Sequence, residues 1–187
     1  MSGGIQVNTV LDAALCSALL AVALPVSAQQ AGPTDPQIAA IVVTANQVDI
    51  DAGKLAESKT RNKDVKAFAD RMVTDHTGVN QAATDLVHKL GVTPEENPTS
   101  MNLKQGGDTN LQTLGKLEGA RFDRAYIDHE VTYHEAVLDA IDHTLIPSAK
   151  NAELKALLVK SEPAFVAHLE HARHLQSTLG KGGGGAQ

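Results

Sequence analysis

The chain has no tryptophan, and only three phenylalanines and two tyrosines among its 187 residues. With so few large rings, the core must be built from Leu, Ala, Val and Ile, which suits helices packed closely side by side. Cys16 is the single cysteine, so an intramolecular disulfide is excluded. Strand signals are nearly missing: IAAIVV at residues 38–43 is the one β-branched run, and it fits a helix face equally well. Basic residues are scarce, 16 against 22 acidic ones, for a formal net charge of −6. There is no basic stripe, so no nucleic-acid partner is expected. No apolar run reaches the roughly 20 residues that a membrane span needs.

What is there begins with residues 13–26, an apolar run broken only by Ser17 and Pro25 and ending in Val26-Ser27-Ala28. The pattern predicts a secretory signal peptide over residues 1–28, cleaved after Ala28. Its first residues depart from the usual form, with no Lys or Arg and with Asp12. A buried amphipathic N-terminal helix is the alternative. Beyond it, residues 35–179 read as one all-α domain and residues 180–187 as a flexible Gly-rich tail. An exported, periplasmic location follows from the signal peptide, with no membrane span in the mature chain.

The domain is organised around residues 62–90. There Val65, Ala69, Met72, Val79, Ala83, Leu86 and Leu90 recur at steps of four and three, with His76 as the one polar member of the series. A helix of that length, about 43 Å at 1.5 Å per residue, must bury its seam against other long helices. Helix 1, from Thr34 or Asp35 to about Lys59, carries Ile38, Val42, Ala45, Asp49, Ala52 and Ala56. A tight turn near Asn62 makes an antiparallel hairpin of the two. Gly91 closes helix 2. Residues 92–107, with Pro94, Pro98, Gly106 and Gly107, are expected to be mostly loop, followed by a short helix over residues 108–117. Helix 3, residues 120–146, is expected to stop before Pro147, and its seam is Ile127, Val131, His134, Leu138, Ile141 and Leu145. Helix 4, from Asn151 to Leu179, carries Leu154, Leu158, Ser161, Phe165, His168, Ala172 and Leu175, with a kink expected at Pro163. Two antiparallel hairpins joined by a long crossover with a short helix are the connectivity of a ferritin-like four-helix bundle.

Each seam thus holds one strongly polar residue near its middle: Asp49, His76, His134 and His168. Folding both hairpins brings the four to one level within about a helical turn. Three imidazoles and a carboxylate in a dry bundle are a donor set for zinc, copper or iron. Neutral imidazole is the ligand form, so affinity is expected to fall as pH drops through about 6.5. The same residues equally fit a buried polar layer that fixes helix register, with Asp49 accepting a hydrogen bond from His76. Glu130 and Glu162 are further carboxylates near the layer, and Tyr126 and Tyr133 are hydrogen-bond donors. His171 and His174, with His168, make one flank of helix 4 His-rich and read as a solvated face. His88, His129 and His143 read as surface or boundary residues. Asp70-Arg71 with Asp75-His76 is echoed by Asp123-Arg124 with Asp128-His129.

The blocks DIDAGKLA (49–56), VKAFADRMVTDHT (65–77), FDRAYIDHEVTYH (122–134) and PAFVAHLEHARHL (163–175) resemble the exported bacterial family known as domain of unknown function number 4142. The resemblance covers residues 35–179. It implies a ferritin-like four-helix bundle behind a signal peptide, and no established reaction. The family's histidines correspond to His76, His134 and His168. Members are often labelled outer-membrane proteins, but this sequence has no alternating strands for a barrel. It also departs from di-iron ferritins, which place Glu three residues before His. Here Val73, Val131 and Phe165 hold those places.

Three functions remain open on the sequence: an exported metal-binding bundle, an envelope interaction module whose layer only sets register, and a metal-dependent enzyme, for which no nucleophile or acid–base pair stands out. The signal-peptide reading is tested directly. Intact mass of exported protein should show a chain beginning at Gln29, whereas a full-length cytosolic species overturns it.

Overall fold

The computed structural model describes residues 32–182. The expected signal peptide and the last five residues lie outside that range. The described residues contain helices and no strand: α1 (Asp35–Lys59), α2 (Lys63–Leu90), α3 (Pro98–Gly115), α4 (Gly119–Ala140), a π-helical turn (Ile141–Leu145), the short α5 (Ile146–Ser148) and α6 (Ala152–Gly182). None is long and apolar enough to cross a membrane.

Local chemistry sets each boundary. Thr34 and Gln37 form a reciprocal capping box at the start of α1, with Pro36 in the first turn. Asn62 caps α2 through the amides of Asp64 and Val65, and Gly91 ends it at φ 62°, a left-handed conformation that glycine adopts without steric cost. Asn151 caps α6 through the amides of Glu153 and Leu154. The helix then runs unbroken through Pro163 to Gly182, past the expected end at Leu179.

α1 and α2 form one antiparallel hairpin, and α4 and α6 the other. Lys89 of α2 meets Glu153 at the start of α6, while His168 reaches back to Asp75. α2 and α6 are therefore antiparallel, and α2 and α4 run the same way. The connection between the hairpins differs from expectation. α3 starts ten residues earlier, at Pro98, under an Asn97–Ser100 capping box. It lies parallel to α1 for the length of the bundle. Asn97 donates to the Gln37 carbonyl at one end, and Lys59 to the Gly115 carbonyl at the other. The two glycines that resemble breakers lie inside the helix, and Gly107 is there for contact: a Cβ on it would sit 2.8 Å from Val48 Cγ2. The second correction is at Pro147. The helix does not stop before it, because the preceding turn widens: the Ile146 amide bonds to Ile141, five residues back.

The core falls into two clusters. One gathers Phe68, Phe122, Tyr126, Ile127, Leu169 and Leu175, and the other Ile38, Ile41, Ile141, Leu145, Leu158 and Phe165. The polar layer lies between them.

The glycine pair gives a paired expectation. Gly106 is open, with nothing within 4 Å of an added Cβ, so Gly106→Ala should stabilise by about 0.5–1 kcal/mol. Gly107→Ala overpacks against a stiff valine at about 1–3 kcal/mol, outweighing a propensity gain of about 1 kcal/mol. Denaturant unfolding of both variants decides it. Stabilisation by both would show that α3 does not press on α1.

Candidate metal centre

The four seam residues meet. His76 of α2, His134 of α4 and His168 of α6 face one another with ring centroids 5.2–5.6 Å apart. Asp49 of α1 approaches His76 Nε2 at 3.5 Å. All four are essentially removed from solvent. Phe165 stacks on the His76 ring at 5.1 Å and closes one side of the layer.

One nitrogen of each imidazole is tethered and the other is left free. The His76 Nδ1 proton goes to Asn46 Oδ1 at 2.7 Å. The His134 Nδ1 proton goes to the backbone carbonyl of Glu130 at 3.0 Å, one turn back on its own helix. The His168 Nε2 proton goes to Asp75 Oδ2 at 2.8 Å. Asp75 is in turn held by Arg71. These acceptors fix ring orientation and tautomer in the way outer-shell partners do at metal sites. The opposite atoms, His76 Nε2, His134 Nε2 and His168 Nδ1, are buried with no hydrogen-bond partner among the described residues. One nitrogen of each ring lies within 4.8 Å of one nitrogen of each of the other two. Asp49 and Glu130 carboxyl oxygens also come within 4.8 Å of each other and of a His134 nitrogen. Glu130 Oε2 lies 3.5 Å from the tethered His134 Nδ1, and His134 is common to both groups.

Electrostatics favours the ligand forms of the rings. Burial, reinforced by the neighbouring imidazoles, pushes His76 down to about 2 and His134 to about 4. Burial lowers His168 as well, while Asp75 opposes it. All three rings are therefore neutral at pH 7, and the expected onset of proton competition near pH 6.5 moves lower for His76 and His134. The carboxyls shift the other way. Burial raises Asp49 to about 8, and burial followed by the charge of Asp49 raises Glu130 well above the usual range.

Some expectations are corrected. Asp49 does not take the His76 ring proton, which goes to Asn46, whose own amide is spent on the Val42 carbonyl. Glu162 is only half-buried and belongs to neither donor group. Tyr133 donates to the Ala45 carbonyl at 3.0 Å, and the buried Tyr126 hydroxyl has no partner among the described residues. His171 is half-buried against Phe68, while His174, His88 and His143 are exposed. Asn46 and Asp75 were not singled out as site residues by sequence. Asn46 breaks the apolar run of α1 three residues before Asp49, and Asp75 adjoins His76; those were the available signals.

Comparison with known proteins agrees with the fold. The family model described as Domain of unknown function (DUF4142) matches residues 21–175. No curated protein matches the chain. The crystal structure of a presumed secreted protein, DUF305, from Streptomyces coelicolor is similar to it at TM-score 0.64 and 12% identity, over 77% of this chain and 92% of that one. At that identity the likeness speaks for the helical fold alone.

The shifted groups fix the pH response of metal-free protein. His76 and His134 titrate lower folded than unfolded, so the unfolded chain takes up their protons first. Their contribution is complete above about pH 6.5 and is lost as pH falls, toward about 4 for His134 and about 2 for His76. Asp49 titrates higher folded than unfolded, so its contribution is complete below about pH 3.8 and is lost as pH rises toward about 8. Unfolding midpoints measured with chelator present should peak near about pH 6 and decline on both sides. His76→Leu should flatten the acid side; an unchanged acid limb would show that the ring is not held neutral by burial.

Proposed function

The chain belongs to the DUF4142 family, and from that footing we propose that it is an exported helical bundle that binds a divalent transition metal in its central layer. The observation that carries the reading is the convergence of the His76, His134 and His168 rings, each with one buried nitrogen unpartnered while the opposite one is tethered. A layer evolved only to fix register would pair those acceptor nitrogens with N–H or O–H donors, since a buried unpaired polar group costs about 1–3 kcal/mol. Imidazole suits zinc, copper and iron, with Asp49 or Glu130 able to supply an oxygen donor. Zinc bound at about 2.0–2.1 Å puts tetrahedral nitrogens about 3.4 Å apart, inside the 4.8 Å limit within which these rings present theirs. Export is supported by the apolar run that ends in Val26-Ser27-Ala28 and by the description of the Streptomyces coelicolor neighbour as a presumed secreted protein. The role that fits is metal handling or stress homeostasis at the cell envelope. No reaction is assigned.

Calorimetric titration of Zn(II) and Cu(II) into chelator-stripped, tag-free protein tests it. One ion per chain should bind, and His134→Ala and His168→Ala should each weaken it sharply. Asp75→Ala, which removes the tether of His168 together with the ion pair to Arg71, should cost about 10–100-fold. His171→Ala and His174→Ala should change little. Equal affinity and stoichiometry in all of these would end the metal reading and leave the layer as a register device.

A further inference from the structure

On one side of the layer the bundle is incompletely filled. A cavity of about 180 Å³ lies among α1, α2, α4 and α6. Ile41, Val42, Val137, Ile141, Leu145 and Leu158 are among its walls. Ile141 and Leu145 come from the π-helical turn, whose extra residue moves them off the regular helical register. At its other end the cavity reaches Asn46, Asp49, His76 and Tyr133. An apolar cavity of roughly 150 Å³ stays dry and accommodates a benzene ring, so this one holds a single substituted ring.

The polar end determines what the ring carries. Asn46 is committed to His76 and to the Val42 carbonyl, and Tyr133 to the Ala45 carbonyl. Asp49 is different. It is 2% exposed, and its Oδ1 has no partner among the described residues. No Lys or Arg lines the cavity, and a charged ligand would be stripped of water against aliphatic walls. A surface groove between α3 and α4 shares Thr99, Leu103 and Tyr133 with the cavity lining, so only those side chains separate the two.

We propose that this cavity is a binding site for a small uncharged phenol, its ring among the aliphatic side chains and its hydroxyl hydrogen-bonded to Asp49. The site shares Asp49 with the metal donor set and opens onto His76, so it places the ligand beside the histidine layer.

Calorimetry and thermal shift on metal-stripped protein, with phenol, benzene and benzoate as probes, test the proposal. Phenol should bind one per chain and raise the unfolding temperature. Benzene should bind at least tenfold more weakly, because a site built to hydrogen-bond a hydroxyl discriminates strongly against the analogue lacking it. Benzoate should not bind. Val42→Phe and Leu158→Phe, from two different helices, fill the cavity and should each weaken phenol at least tenfold, while Zn(II) binding stays within about twofold. Circular dichroism establishes that each variant is folded, and should one fail, the other together with the probe series still decides. Three results would overturn the site: no phenol binding at millimolar concentration, phenol affinity unchanged by folded cavity-filling variants, or benzoate binding as tightly as phenol.

Discussion

Keeping three imidazoles and two carboxyls out of water is the constraint to which the rest of the bundle answers. Six atoms of this layer lack a hydrogen-bond partner among the described residues: Asp49 Oδ1, both Glu130 oxygens, and one nitrogen on each histidine. At about 1–3 kcal/mol per orphaned group, such a layer offsets a large share of the 5–15 kcal/mol by which a typical domain is stable. The two apolar clusters on either side carry the opposing contribution. Each large side chain fully buried there, such as Phe68, Phe122 or Ile38, contributes about 1.5–3 kcal/mol.

The tethers explain how the layer is held in place without being fully satisfied. His76 is fixed from α1 by Asn46, His168 from α2 by Asp75, and His134 from within α4. Two of these bonds cross between helices. A slip of one helix past its neighbour breaks a buried hydrogen bond and exposes a new orphan, so the layer sets register whether or not an ion is present. The bonds that resist such a slip are the same ones that leave the opposite ring nitrogens unpaired. The cavity beside the layer is also compatible with them, because α1 and α6 are pinned to α2 at the histidines, α4 is pinned to α1 through Tyr133, and the helices are held again at their ends. There Thr60 bonds to Asp123, and Asp35 accepts from the Lys150 and Asn151 amides.

How much of this the sequence made legible follows from which signals are periodic. The long helices and their seams were readable because burial imposes a 3.6-residue repeat, and a lone histidine or aspartate stands out against it. The level of Asp49, His76, His134 and His168 was readable because a hairpin's geometry counts residues from its turn. α3 was misread because Gly106 and Gly107 look alike in sequence, and only the packing partner, Val48, shows that one of them answers a close approach. The π turn left no signal beyond Pro147, whose missing amide proton disturbs the preceding bonds. Glu130 was seen only as a nearby carboxylate. Its weight comes from lying across the layer from Asp49, a relation between α4 and α1 that no spacing within one helix encodes.

That relation bears on what kind of ion the layer can keep. Three neutral imidazoles bring no negative charge, so a dication held by them alone would be a buried, uncompensated charge, which low-dielectric surroundings penalise heavily. Asp75 contacts His168 but is partly exposed on the outside of the ring, so its charge is screened. Asp49 and Glu130 are fully buried, and both carboxyls come within 4.8 Å of a His134 ring nitrogen. In the absence of an ion their raised pKa values let the pair hold protons, which keeps the layer close to neutral and spares the bundle two unpaired buried charges. The carboxyl pair that is awkward for a purely structural layer is therefore the part that makes electrostatic sense of a cationic one.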